Sequence, residues 1–307
     1  MPSSTYILCP GQGAQAVGMG KAFIDKSAAA RALFERADAI LGFSLSDVCF
    51  NGPEDRLNQT DVSQPALYVA GAASYVSAVE DGTIDPAAVT AYAGLSLGEY
   101  TALHLAGAFS FEDGLKLVAA RGRAMQEAAV SVPSSMVAVM GADAAAIDAL
   151  CAEVLGTEAR GDDVLVPANY NAPGQIVVSG STAACERALK AAEAKGLKAV
   201  ALKVAGAFHS PIMQPGADKM KAELEAAAIS VPAKPVYSNV TAQPHTDVAS
   251  IKRLLVEQIV SPVKWEQTMV PLAAIADARF VELAPGRTLA GLAKRINRRL
   301  PVESLGA

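Results

Sequence analysis

The sequence predicts an α/β fold in which a parallel sheet carries an inserted βαββαβ unit of the ferredoxin-like pattern. Two observations carry this prediction: a strand, glycine turn, helix unit occurs twice in the first 106 residues, and an uninterrupted βαββαβ order runs between residues 137 and 204. Tyr6 to Cys9 reads as a short buried strand broken by Pro10-Gly-Gln-Gly13, and helical periodicity follows from Lys21 to Leu41. A second unit joins a strand at Thr90 to Ala93, the turn Gly94-Leu-Ser-Leu-Gly98 and an apolar helix from Glu99 to Ala106. A helix from Glu112 to Ala129 comes next. The character then changes to strand Val137 to Met140, helix Ala144 to Leu155, strands Val164 to Ala168 and Gln175 to Ser179, helix Thr182 to Lys195 and strand Lys198 to Val204. That order reads as a self-contained insertion of roughly 75 residues, placed at 131–204. Helices Ala217 to Ala227 and Val248 to Ile259 and strands Val236 to Ser238 and Arg279 to Leu283 then complete the first unit, so residues 1–130 and 205–307 are expected to form one large subdomain.

Composition excludes several function classes. The chain is 307 residues long, more than one core usually spans, which suits a large domain with an insertion. It is 51% hydrophobic without an apolar run of about 18 residues, so no membrane span is expected. A net charge of −5 offers nucleic acid no general attraction. Met1 to Thr5 has no basic segment leading into an apolar one, so a cytoplasmic protein is expected, or one of an organelle stroma after loss of a transit peptide. Cys9, Cys49, Cys151 and Cys185 are scattered without a C-x-x-C pair, which argues against zinc and against disulfides; no metal is expected.

Gly94-Leu-Ser-Leu-Gly98 fits the G-x-S-x-G elbow, in which flanking glycines let the chain turn sharply and expose a serine hydroxyl. The elbow places Ser96 at a helix N-terminus, where the N–H of Leu97 can meet an oxyanion. A glycine-bracketed helix cap is the alternative. A serine nucleophile needs a base, and the chain has His104, His209 and His245. His104 lies about 12 Å along the same helix from Ser96, too far for contact. His245 follows Pro244 in a polar turn and is expected to be solvated and without a role. His209, in the loop after the last insertion strand, remains. No aspartate is placed as a third member, which leaves a main-chain or amide carbonyl to orient it.

Arg121 shares a helix stripe with Leu117 and Met125, so a guanidinium is expected on an apolar face. It needs an anion there, either an internal Asp or Glu or a substrate carboxylate. Gly11-Gln-Gly13-Ala-Gln-Ala16 superficially fits a dinucleotide fingerprint, but the acidic residue about 20 positions on, Glu35, falls inside a helix. The Gln12 N–H is instead placed to complete an oxyanion hole beside Leu97.

Taken in order, Pro10-Gly-Gln-Gly-Ala-Gln15, Gly18-Met-Gly20, Gly94-Leu-Ser-Leu-Gly-Glu-Tyr100, Arg121-Gly122 with Met125-Gln-Glu127, Asn169-Tyr-Asn171 with Pro173-Gly-Gln175, Ala207-Phe-His-Ser-Pro211, Gln258 before Pro262-Val-Lys-Trp265, and Glu282-Leu-Ala-Pro-Gly286 carry a likeness. Over nearly the whole chain they resemble the malonyl-CoA:acyl carrier protein transacylases and the acyltransferase domains of polyketide and fatty-acid synthases. The resemblance implies an α/β-hydrolase-like large subdomain with a ferredoxin-like insertion. It makes Ser96 the nucleophile, His209 the base, Arg121 the clamp for a malonyl carboxylate, Gln12 and Leu97 the oxyanion donors, and Gln258 the residue orienting His209. Phe208, Met125 and Asn169 fall on the family's substrate-binding segments, and Phe beside the histidine goes with malonyl. Leu95 is a departure, since the family often has His there.

The substrates implied are malonyl-CoA and phosphopantetheinylated acyl carrier protein, with no further cofactor, a transient contact with the carrier protein, and action as a monomer. An acidic carrier would need a basic surface, for which Lys294, Arg295, Arg298 and Arg299, or Lys219 and Lys221, are available, unless these form a solvated helix face. A patatin-like hydrolase would need a downstream Asp-Gly-Gly or Asp-Gly-Ala, and Asp113-Gly114 is followed by Leu115. A non-catalytic scaffold would not need Ser96, His209, Arg121 and Gln258 together.

Overall fold

The computed structural model describes residues 4–158 and 163–306; residues 1–3, which begin the N-terminal segment read above for a leader, lie outside them, as do 159–162 and 307. The chain opens with β1 (Ser4–Cys9), α1 (Lys21–Lys26), α2 (Ala28–Leu41), α3 (Leu45–Asn51), α4 (Glu54–Leu57) and α5 (Thr60–Glu80). It continues with β2 (Val89–Gly94), α6 (Gly98–Leu105), α7 (Phe111–Ser131), β3 (Ser134–Met140), α8 (Ala144–Glu158), β4 (Leu165–Ala172), β5 (Gln175–Ser181), α9 (Thr182–Ala194) and β6 (Lys198–Ala201). It ends with α10 (Gln214–Ala226), β7 (Val236–Tyr237), α11 (Val248–Glu257), α12 (Trp265–Leu272), β8 (Ala278–Glu282), α13 (Thr288–Ile296) and β9 (Val302–Ser304).

The larger sheet is parallel throughout, in the order β7-β2-β1-β8-β9. Its central strands β1 and β2 are largely apolar on both faces, as helices covering both require. Along β1, Ile7 and Cys9 join the main core with residues of α2, α5, α6 and α7, while Tyr6 and Leu8 face Val263, Trp265, Met269 and Leu289 on the other side. The smaller sheet is antiparallel, in the order β4-β5-β3-β6. The first and third strands of the βαββαβ run are therefore central, as two split βαβ units require, and the ferredoxin-like pattern holds. Period-2 alternation divides its faces. Val137, Val139 and Val178 pack under Ile147 and Leu150 of α8, whereas Met136 and Val177 join the main core and bind the small sheet to the large one.

Two expectations are corrected, and one long helix was not foreseen. The helix foreseen from Lys21 to Leu41 is two helices, because the Ser27 hydroxyl accepts from Ala30 N at 2.9 Å and caps a new start. The strand foreseen to Val204 ends at Ala201. The sequence reading left α5 unassigned; most of its residues are buried, so its apolar pattern has no polar face to supply a period. All four cysteines are free and buried, and burial raises every thiol above its ordinary value, which keeps them protonated. Among the described residues no helix is long and apolar enough to cross a membrane.

Candidate active site

β2 ends at Gly94 and α6 begins at Gly98, so Leu95, Ser96 and Leu97 must make the whole turn. A Cβ on Gly94 would fall 1.9 Å from the Gly98 carbonyl carbon, and one on Gly98 would fall 2.1 Å from Cys9 O, so neither position admits a side chain. Ser96 itself is held at φ 53, a conformation that costs a non-glycine residue energy and persists only under restraint. Asn239 supplies the restraint: its Oδ1 accepts from Ser96 N at 2.6 Å and its Nδ2 donates to Gly94 O at 2.7 Å. Leu97 lies at the first turn of α6, where helix geometry leaves amides without intrahelical partners. The loop after β1 lies against the same turn, since Leu95 N donates to Cys9 O at 3.1 Å and a Cβ on Gly11 would fall 2.2 Å from Leu95 O. Gln12 follows directly, with its side chain donating to Thr60 Oγ1 at 3.4 Å.

His209 reaches Ser96 from the loop between β6 and α10. Its Nε2 lies 2.8 Å from Ser96 Oγ, and its Nδ1 lies 2.8 Å from the main-chain carbonyl of Gln258. A carbonyl can only accept, so the neutral ring carries its proton on Nδ1 and presents the Nε2 lone pair to the serine hydroxyl. His209 is 4% exposed and, like Ser96, has a positive φ, 57. Burial, and then the charge of Arg121, lower its pKa to about 4, against the opposing pull of the Gln258 and Ser261 carbonyls. At neutral pH the ring is an uncharged base.

Arg121, 1% exposed, enters from α7. Its Nη1 donates to Gln64 Oε1 at 2.7 Å, and its Nη2 donates to Gln258 Oε1 at 2.8 Å and to Ser96 Oγ at 3.2 Å. The guanidinium carbon stands 5.5 Å from the centre of the Tyr100 ring. No carboxylate touches it among the described residues, and its Nε has no hydrogen-bond partner. Guanidinium groups have five N–H donors, so with three hydrogen bonds made, the Nε–H and one N–H of Nη1 remain available to an incoming anion.

Behind these groups lies a buried polar network. Glu99 Oε2 accepts from Gln258 Nε2 at 2.7 Å and from Asn239 N at 2.9 Å, and Gln258 Nε2 also donates to Ser96 O at 3.1 Å. The other carboxylate oxygen, Oε1, lies 2.8 Å from Nε2 of His245. The expectation of a solvated His245 is thus overturned: its side chain is fully buried, because His245 N pairs with Val236 O and carries the ring in behind α6. His104 is structural, its Nδ1 3.2 Å from Phe109 O and its ring against Tyr68 and Phe111.

Phe208, next to His209 in sequence, and Met125, one helical turn from Arg121, are buried in the main core, with Met125 Sδ accepting from Gln64 Nε2 at 3.5 Å. Asn169 is buried on β4. Its backbone bridges to Val263, and no hydrogen bond joins it to Ser96, His209 or Arg121 among the described residues. Sequence reasoning missed Gln64, Glu99 and Asn239 as members of the site. Glu99 and Tyr100 did stand in the quoted motif, and Gln64 directly precedes a proline inside an apolar run, but neither signal names a partner. No cluster of three or more metal-ligating side chains occurs among the described residues. Of the basic residues considered for a landing surface, Lys219 pairs with Glu127, Lys221 lines a groove of about 430 Å³ between α10 and α11, and Lys294, Arg295, Arg298 and Arg299 are exposed.

Comparison with known proteins agrees with this geometry. The acyl transferase domain family model matches residues 5–303. The malonyl CoA-acyl carrier protein transacylase of Bacillus subtilis is 42% identical over 299 residues, 97% of this chain and 92% of that protein. The crystal structure of an acyl-carrier-protein-S-malonyltransferase from Bartonella henselae superposes with a TM-score of 0.92 at 37% identity, covering 99% of this chain and 96% of the other. A malonyl-transacylase solved in complex with its type II PKS acyl-carrier protein superposes with a TM-score of 0.91 at 35% identity, again covering 99% and 96%. A serine elbow, a neutral histidine and a buried arginine without an acidic partner, on a chain matched from residue 5 to residue 303, place the protein in the acyl transferase domain family.

Proposed function

We propose that the protein moves a malonyl group from malonyl-CoA to the phosphopantetheine thiol of an acyl carrier protein, through an ester on Ser96, supplying extender units for fatty-acid or polyketide synthesis. The observation that carries the reading is the placement of Arg121 Nη2 3.2 Å from Ser96 Oγ with no carboxylate to satisfy it. An acyl group ending in its own carboxylate is the substrate that such a site completes.

In the first half-reaction Ser96 Oγ attacks the thioester carbonyl and its proton passes to His209 Nε2. The amides of Leu97 and Gln12 hold the oxyanion. The C–S bond then breaks, and the departing coenzyme A thiolate takes the proton from His209. In the second half the carrier thiol gives its proton to His209 and attacks the ester carbonyl; the C–O bond breaks and Ser96 recovers the proton. Arg121 holds the malonyl carboxylate in both halves, Gln258 orients His209 through its main-chain carbonyl, Phe208 and Met125 form the apolar side of the acyl site, and Asn169 meets the substrate from the small sheet. The division into residues 1–130 with 205–307 and an insertion at 131–204 belongs to the same proposal, as does action as a cytoplasmic monomer without a metal or further cofactor.

The test is intact-protein mass spectrometry after brief mixing with malonyl-CoA. A malonyl adduct is expected on the wild type and not on Ser96→Ala, and it should discharge on addition of holo-carrier protein. Free malonate without carrier loading would make the protein a hydrolase and end the proposal.

A further inference from the structure

We infer that Gln64 is a specificity-determining residue: it positions Arg121 without neutralising it, and so sets the preference for acyl groups that bring their own carboxylate. The inference rests on the malonyl reading above and adds a residue and a reason to it.

The packing of α5 on α7 creates the contact. A Cβ on Gly122 would fall 2.8 Å from Thr60 O, so only glycine lets the first turn of α5 approach α7 so closely, one residue from Arg121. That approach brings Gln64, 1% exposed, to 2.7 Å from Arg121 Nη1. Gln258 takes the other arm at 2.8 Å, so two neutral amide oxygens hold the guanidinium fork. The carboxyl group bonded into this network, that of Glu99, is linked to Arg121 through the Gln258 amide, whose Nε2 donates to Glu99 and whose Oε1 accepts from Arg121.

A glutamate at position 64 would have nearly the same shape and would place a carboxylate where the amide oxygen now lies. Beside a buried guanidinium it would stay ionised and form a charge-assisted pair. The positive charge would then be satisfied before the substrate arrived, and a malonyl carboxylate would meet a neutral pair in place of a free positive charge. An uncharged acetyl group, which in the native site leaves a buried charge unpaired, would no longer carry that penalty.

The experiment compares acylation of Ser96 by malonyl-CoA and by acetyl-CoA in the wild type, Gln64→Glu and Gln64→Met, with circular dichroism and thermal melts to show that each is folded. Gln64→Glu should lower the malonyl-to-acetyl ratio of kcat/KM by about 30-fold or more. Gln64→Met, equally long and neutral, should slow malonyl transfer by about tenfold through lost positioning while keeping the ratio within about fivefold of wild type. A ratio preserved in Gln64→Glu, or lost as completely in Gln64→Met, overturns the inference. Should Gln64→Glu fail to fold, the methionine variant decides alone: an undiminished malonyl rate removes the positioning role. A wild type that forms no malonyl-serine at all overturns the functional reading instead, so the two failures are distinguishable.

Discussion

His209 and Arg121 are coupled through their charges. Burial is the larger cause of the histidine's lowered pKa and Arg121 is the second, so a malonyl carboxylate that neutralises Arg121 strengthens the base when substrate is bound. Arg121→Ala should accordingly shift the titration of His209 upward, read by imidazole NMR; an unmoved titration would contradict the coupling. The lowered pKa also has a stability consequence. The unfolded chain binds a proton at this histidine below its ordinary value of 6.5, and the folded chain only near 4, so acidification through that window favours unfolding. Urea midpoints should fall between pH 7 and pH 5 more steeply for the wild type than for His209→Gln. Asn239 offers a third residue-scale test. Asn239→Ala leaves Ser96 N and Gly94 O without partners, at a cost of about 1–3 kcal/mol, and the released elbow should slow acylation by up to about 100-fold.

Among the elements, α6 and α13 show that helical glycines differ by their surroundings. Gly98 begins α6 against Cys9 O, whereas Gly291 lies inside α13 with nothing within 4 Å of its would-be Cβ. Gly98→Ala should destabilise by about 1–3 kcal/mol or more through the forced backbone shift. Gly291→Ala should stabilise by about 0.5–1 kcal/mol, because only the entropy of the unfolded chain changes. Thermal unfolding of both variants tests the contrast, and equal effects would mean that α6 can yield. The burial of α5 has a different origin: it packs against α2, α6 and α7 at once, which removes the polar face that sequence periodicity detects.

At the scale of the molecule, the small sheet has a core of its own under α8 and α9 and shares its other face with the large core through Met136, Ala168 and Val177. A cavity made wholly inside the small core should therefore loosen that unit first. Leu150→Ala, at a fully buried position of α8, is expected to cost about 2–5 kcal/mol. Hydrogen exchange read peptide by peptide should show lost protection across β3 to β6, with β1 and β2 unchanged. Equal loss in both sheets would show that the two cores open as one.

The alternation of strands and helices, the elbow around Ser96, the βαββαβ order, the short list of histidines and the buried Arg121 were legible in the sequence by itself, because the signal for each element or residue lies within a few positions of it. Gly94 and Gly98 bracket the serine within one turn, and the i, i+4 stripe of Leu117, Arg121 and Met125 lies on one helix face. Tertiary structure alone decided which partners these groups meet. Gln64 and Gln258 stand 57 and 137 positions from Arg121, and Asn239 stands 143 from Ser96. His245 lies in a segment that reads as a polar turn, yet its backbone pairing with Val236 carries the ring to Glu99, 146 residues earlier, behind α6. Local chemistry determines what a residue can do and what backbone it prefers; whether a polar side chain ends in water or against another buried group depends on which distant segments close over it, and no short window of sequence contains that information.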